Sequence, residues 1–166
     1  MSDTIAAIAT APGEGGIAIV RVSGPDARRL MGQVFRSAKG IVTFKSHHLY
    51  YGTVIDALRA DEVIDECMAV LMQQPRSYTR EDVVEFQVHG GFSSASRVLS
   101  VLLSLGARLS EPGEFTRRAF LNGRIDLGQA EAVMAMIQSR GETARRDAVR
   151  QLSGAAGSFI RTCADE

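Results

Sequence analysis

Between residues 16 and 23 the chain reads Gly-Ile-Ala-Ile-Val-Arg-Val-Ser, a β-branched run halted by Gly24-Pro25-Asp26, and this pattern predicts a strand. A helix from about Pro25 to Val34 follows, with proline in the first turn, where its fixed φ suits it. Further strands are expected at 47–55, 64–72 and 83–89, then a helix at 93–105 closed by Gly106. Strand-period and helix-period segments alternate, which places this part of the chain in the α/β or α+β class.

After residue 113 the period becomes helical throughout. Asp126 and Gln129 have the spacing of a capping box, and Leu127, Ala130, Val133, Met134 and Ile137 recur as one apolar stripe. A second stripe, Ala148, Leu152, Ala155 and Phe159, runs almost to Glu166 and has no later element to pack on. The expected organisation is therefore α+β: a mixed domain over 1–118, and the first helices of a truncated helical domain over 119–166. No internal repeat or low-complexity segment interrupts it.

Composition narrows the chemistry. With 166 residues, 45% of them hydrophobic, there is material for a packed core, and 23% charged residues is not the make-up of a disordered tail. Lys+Arg and Asp+Glu both count 19, so no global positive field argues for polyanion binding. Lys39 and Lys45 are the only lysines, which leaves arginine as the working cation, the better residue for holding planar anions in fixed geometry. Cys67 and Cys163 fit neither a disulfide framework nor zinc-ligand spacing, and both are expected to stay reduced in the cytoplasm. The start, Met-Ser-Asp-Thr, lacks a basic n-region, and Ser100 and Ser104 break the most apolar run, Val98 to Leu105. Neither a signal peptide nor a membrane span is expected.

Three segments could carry chemistry. In the strand at 83–89, Val84, Phe86 and Val88 alternate with Glu85, Gln87 and His89, so one face is core and the other polar. That face is either simply solvated or faces a ligand. His89-Gly90-Gly91 then leads into a helix, an order that leaves backbone N–H groups for an anion or ligand oxygen. Arg21 shares a strand face with Ile17 and Ile19, so it needs an anionic partner or, on an edge strand, a route to solvent. The run Pro12-Gly13-Glu14-Gly15-Gly16 is glycine-rich but enters a strand, which excludes a dinucleotide fingerprint. No GxxxxGK[ST] phosphate loop and no GxSxG nucleophile elbow occurs, and His47-His48 lacks carboxylates at ligand spacing. Residues 111–126 read as a turn, a short helix ended by Gly123, and a second helix capped by Asp126. Arg117 and Arg118 read as a solvated face, whereas Arg124 stands in the tight inter-helix link, where fixed backbone could aim its guanidinium.

Three stretches carry a specific resemblance: Thr10-Ala11-Pro12-Gly13-Glu14-Gly15-Gly16-Ile17; Ser77-Tyr78-Thr79 with Glu81-Asp82 and His89-Gly90-Gly91; and Pro112-Gly113-Glu114-Phe115 through Asp126-Leu127-Gly128-Gln129-Ala130-Glu131-Ala132. In this order, over nearly the whole chain, they resemble the N-terminal part of the MnmE (TrmE) family of tRNA modification GTPases. The resemblance implies a folate-binding, dimerising α/β domain, then the start of a helical domain into which a GTPase domain is inserted. It implies a tetrahydrofolate derivative (5-formyl- or 5,10-methylene-tetrahydrofolate) as one-carbon donor for modifying the wobble uridine of tRNA. The flavin-dependent partner is MnmG (GidA), the setting is cytoplasmic, and GTP, potassium and magnesium belong to the GTPase domain, which is absent here. This chain alone is thus expected to lack GTPase activity.

Folate contacts carry over onto Arg21, Glu85 and Arg124, the last often lysine in the family. Arg80 stands where the family pattern Ser-Tyr-Thr-Gly-Glu-Asp has glycine. A carboxylate such as Glu85 can accept the adjacent N–H donors of a pterin as a bidentate pair, and Arg21 and Arg124 can meet ligand oxygens or its glutamate carboxylate. Each charged hydrogen bond of this kind contributes ~1.5 to 3 kcal/mol. Two other readings compete: a dimerisation module without folate chemistry, and a folate-dependent aminomethyl transferase of the glycine-cleavage type, against which chain length and the motif at 112–132 argue.

Overall fold

The computed structural model describes residues 3–13, 15–139 and 141–153. The chain divides into two compact units, Met1–Pro112 and Gly113–Glu166. The first contains β1 (Ile5–Ile8), β2 (Ile17–Ser23), α1 (Ala27–Val34), β3 (Phe35–Ser37), β4 (Leu49–Asp56), β5 (Glu62–Met72), β6 (Val83–His89), α2 (Phe92–Ser104) and β7 (Arg108–Leu109). The second contains α3 (Glu114–Leu121), α4 (Leu127–Gln138) and α5 (Glu142–Leu152). The class is α+β. Among the described residues no helix is long and apolar enough to cross a membrane.

The seven strands of the first unit form one sheet in the order β3-β4-β5-β6-β2-β1-β7. All neighbours are antiparallel except β1 and β7. Alternation along the strands produces two unlike faces. Ala18, Val20 and Val22 of β2, Val84, Phe86 and Val88 of β6, and Cys67, Ala69 and Leu71 of β5 pack against Leu30, Met31 and Val34 of α1 and Val98, Val101 and Leu102 of α2. Both helices lie on this one face, so burial of its apolar side chains is the main stabilising term for the unit. The opposite face carries Ile19, Arg21, Glu85, Gln87 and Met68, with Ile17 and His89 exposed at one end.

Three strands depart from the expected pattern. The run Ile-Ala-Ala-Ile of β1 does not alternate, yet it adds to β2 and lies next to it, so Arg21 sits on an interior strand and not at a sheet edge. Strand β3 follows α1 without a breaking residue. Gly52 of β4 admits it, because a Cβ there would stand 2.1 Å from the Arg36 carbonyl oxygen. Strand β7 has only two residues, pinned by Arg108 N–H to Thr4 O (2.8 Å) and Ser110 N–H to Ala6 O (3.0 Å).

In the second unit, Asp126 and Gln129 form the expected capping box: the Asp126 side chain accepts from the Gln129 N–H at 2.8 Å, and Gln129 Oε1 accepts from the Asp126 N–H at 3.0 Å. Gln129 also donates to the Leu152 carbonyl at the end of α5 (2.8 Å). The apolar stripe of α4 is not the buried one. Leu127, Met134 and Ile137 are 60%, 50% and 74% exposed, whereas Ala132 is buried, so the described helices bury small residues and leave the large ones outside. On α5 Ala148 of the second stripe is buried, while Ala155 and Phe159 lie outside the described residues. Arg118 also departs from the solvated-face reading: it is buried and donates to the buried carboxylate of Glu114 at 3.1 Å, one helical turn away, while Arg117 stays exposed.

Candidate functional site

Strands β2 and β6 run antiparallel with Arg21 directly opposite Glu85. Both side chains are on the sheet face opposite α1 and α2, and Arg21 Nε donates to Glu85 Oε1 at 2.7 Å. Their side chains are only 28% and 16% exposed, so the pair is drier than a surface ion pair and interacts more strongly than one would in water. The arginine that needed an anionic partner thus has one, supplied by the other residue that the strand pattern marks as unusual.

The turn between β5 and β6 walls this pair on one side. Tyr78 places its ring with the centroid 5.9 Å from Arg21 Cζ, within cation–π reach. The next residue, Thr79, is fully buried beside Ser23, two positions beyond Arg21 on β2. Ser23 donates its hydroxyl to Glu81 Oε2 at 2.7 Å, so Thr79 donates to Ser23 across their 2.7 Å contact. Ser77 Oγ closes the turn on the Glu81 carbonyl (2.5 Å), and Gly24 N–H binds the Asp82 carbonyl (3.0 Å). Arg80 adopts φ +58, the left-handed region that costs a side-chain-bearing residue about 1–2 kcal/mol. Glycine would adopt that conformation without this steric cost.

At the far end of β6, His89 and Asp65 of β5 form a second pair. His89 Nδ1 lies 2.7 Å from Asp65 Oδ1, and the His89 N–H donates to Asp65 Oδ2 at 2.9 Å. Burial acts most strongly on the Asp65 carboxyl and pushes it up, but bonds from the His89 side chain and backbone, Ser94 and the Glu66 backbone together hold it below its ordinary value. His89 is raised, first by that hydrogen bond and then by the Asp65 charge. The helix α2 starts at Phe92 with no side-chain cap. Gly90 has a packing reason for being glycine: a Cβ there would stand 1.6 Å from the Gly15 carbonyl oxygen. Next to it, a cavity of about 440 Å³ opens at the first turn of α2, lined by Thr10, Pro12, Ile17 and Ala95. The His47-His48 pair precedes β4 and is exposed. Among the described residues no three His, Cys, Asp or Glu side chains converge as metal ligands.

A family model described as the GTP-binding protein TrmE N-terminus matches residues 4–124. The chain belongs to this family. It is 58% identical over 154 residues to the tRNA modification GTPase MnmE of Geobacter sulfurreducens, covering 93% of this chain and 33% of the relative. The same-named proteins of a Thermoanaerobacter species and of Listeria welshimeri are each 51% identical, over 99% of this chain and 36% and 35% of their own lengths. The chain therefore spans about a third of the length of these curated relatives.

Arg21, Glu85 and Arg124 all lie within the matched span. The structure brings Arg21 and Glu85 together. Arg124 belongs to the second unit, exposed in the link between α3 and α4, with its N–H bonded to the Ala119 carbonyl at 2.8 Å. Strand periodicity did not single out Asp65, Ser23 or Tyr78. Asp65 had a signal, a carboxylate inside the run Val63-Ile64-Asp65-Glu66-Cys67. Ser23 had none, since a serine at a strand end is ordinary.

Proposed function

We propose that this chain is the folate-binding and dimerising part of a tRNA modification GTPase. The bound molecule is a 5-formyl- or 5,10-methylene-tetrahydrofolate, the one-carbon donor for the wobble uridine. The observation that carries this reading is the Arg21–Glu85 pair: a carboxylate on a half-buried sheet face, held through one oxygen by a fixed guanidinium. A carboxylate so held still has lone pairs to accept the adjacent N–H groups of an aminopyrimidinone ring. Arg21 is then chiefly the holder of Glu85, and Arg124 is the cation for the ligand's oxygens or its glutamate tail.

Dimerisation finds support on the same face, where Ile17 is 63%, Tyr51 52% and Leu49 51% exposed, apolar area that a two-fold contact would cover. In the full-length protein the reading includes GTP hydrolysis with magnesium and potassium, the partner MnmG, tRNA as substrate, and a cytoplasmic setting. With no phosphate-cradling loop in its sequence, the chain neither binds nor hydrolyses GTP by itself.

Sedimentation of the chain with and without 5-formyl-tetrahydrofolate tests the assembly half of the proposal. A dimer at tens of micromolar, an order-of-magnitude choice for typical interface strengths, is expected, and folate should tighten it if the ligand prefers the dimer. A monomer under those conditions would remove dimerisation from the reading. A folate-indifferent dimer would move the site away from the interface.

A further inference from the structure

We propose that Gln87 is a specificity-determining residue of this site: its carboxamide donates to the ring carbonyl that lies beside the N–H pair received by Glu85, so that the two side chains read one edge of the ligand. The inference deepens the folate reading above and rests on it.

The direction in which a ring can extend from Glu85 along β6 follows from the sheet. Val83, two positions back, is fully buried, and Ser23, directly opposite it, is taken up by Thr79 and Glu81. Two positions forward, ~6.7 Å along the strand, Gln87 stands half-buried on the same face as Glu85. There the face opens into a groove of about 300 Å³ lined by Ile17, Tyr51, Met68, Gln87 and His89. A planar ring held at Glu85 and running along β6 therefore meets Gln87 next.

The surroundings of the two residues differ. Glu85 faces Arg21 across the β2–β6 ladder and is bonded to it, whereas Gln87 is flanked by Ile19 on β2 and Met68 on β5. Directly opposite side chains are the ones a strand residue reaches first, and neither of these apolar ones is a good partner for an amide. Among the described residues the Gln87 carboxamide forms no hydrogen bond, so both its ends are available to a ligand. An aminopyrimidinone edge presents two N–H donors and then a carbonyl acceptor. A carboxylate receives the donors but repels the carbonyl oxygen, which on a half-dry face needs a donor of its own. Glutamine supplies that donor at the next position on the face.

The test titrates 5-formyl-tetrahydrofolate, and the diaminopteridine analogue with an amino group in place of the ring carbonyl, into wild type, Gln87→Met and Gln87→Glu. Unfolding midpoints confirm that each variant is folded. Gln87→Met keeps length and removes the amide, and should bind 5-formyl-tetrahydrofolate about two- to tenfold more weakly, the net worth of one hydrogen bond. Gln87→Glu turns the donor into an acceptor, so it should weaken 5-formyl-tetrahydrofolate by about tenfold or more. The diaminopteridine should bind Gln87→Glu as well as wild type or better, because its amino group meets the new acceptor. Preference for the carbonyl ligand over the amino one therefore falls in Gln87→Glu. An unchanged preference, or wild-type affinity for 5-formyl-tetrahydrofolate in Gln87→Met, would overturn the proposal and leave the folate reading standing. The side-chain amide resonances of Gln87, identified by their loss in Gln87→Met, should also shift in the NMR spectrum of wild type as 5-formyl-tetrahydrofolate is added, and resonances unmoved at saturation would overturn it too. Failure of wild type to bind either pterin would reject the folate reading, and this inference with it.

Discussion

Arg21 and Glu85 stand 64 residues apart in the chain and 2.7 Å apart in the fold, directly opposite one another on adjacent antiparallel strands. Cross-strand neighbours of opposite charge are worth roughly 0.2–1 kcal/mol, and the low exposure of this pair favours the upper part of that range. Removing either partner should cost more than the pair contributes, because the other charge is left on a half-dry face. Arg21→Ala and Glu85→Ala are each expected to destabilise the domain by about 1–2 kcal/mol. A double-mutant cycle by urea unfolding should show about 0.5–1 kcal/mol of coupling. Strict additivity would mean that the two charges act independently in solution.

The His89–Asp65 pair makes stability depend on pH with a definite sign. His89 is raised above 6.5 in the folded state, so its contribution is complete below that pH and is lost as pH rises through the folded value. Asp65 is lowered below 3.8, so its contribution is present above that pH and is lost as pH falls through the depressed value. Stability from this pair is therefore greatest between the two and declines as pH rises through the folded His89 value or falls through the folded Asp65 value. Titration of the His89 ring protons by NMR should give a midpoint above 6.5 in wild type and a lower one in Asp65→Asn. Equal midpoints in the two proteins would show that the pair is not formed.

Arg80 offers a backbone test. Its left-handed conformation costs about 1–2 kcal/mol, whereas glycine adds about 0.4–1 kcal/mol of unfolded-state entropy to be lost. Arg80→Gly should thus stabilise the domain by about 0.5–1 kcal/mol, read as a higher denaturation midpoint. A lower midpoint would mean that the contacts of the Arg80 side chain outweigh the strain of its backbone.

How much of this was legible beforehand follows from the reach of each signal. Strands β2, β4, β5 and β6 and helices α1 and α2 were readable because each carries its own period over seven or more residues. Strands β1, β3 and β7 were not, since a four-residue Ala-rich run, three residues after a helix, and a two-residue pair are strands only by virtue of their neighbours. At the site, Arg21 and Glu85 each announced themselves as charges in apolar strands. Their pairing required the order β6-β2, which no local pattern encodes. The network of Ser23, Thr79 and Glu81 was hidden for the same reason: each residue is ordinary in a turn or strand end, and only long-range closure makes it structural. The α4 stripe was legible as an apolar face, but periodicity marks such a face without saying what covers it.

The central claim is that Glu85 is the carboxylate that anchors a reduced folate. Calorimetric titration of 5-formyl-tetrahydrofolate into wild-type chain and into Glu85→Gln tests it most directly, because glutamine keeps the shape and removes the charge. The account predicts saturable binding to wild type and at least a tenfold loss in the folded variant, about the ~1.5 to 3 kcal/mol of a charged hydrogen bond. Equal affinity in the two proteins, or no binding to wild type, would contradict it.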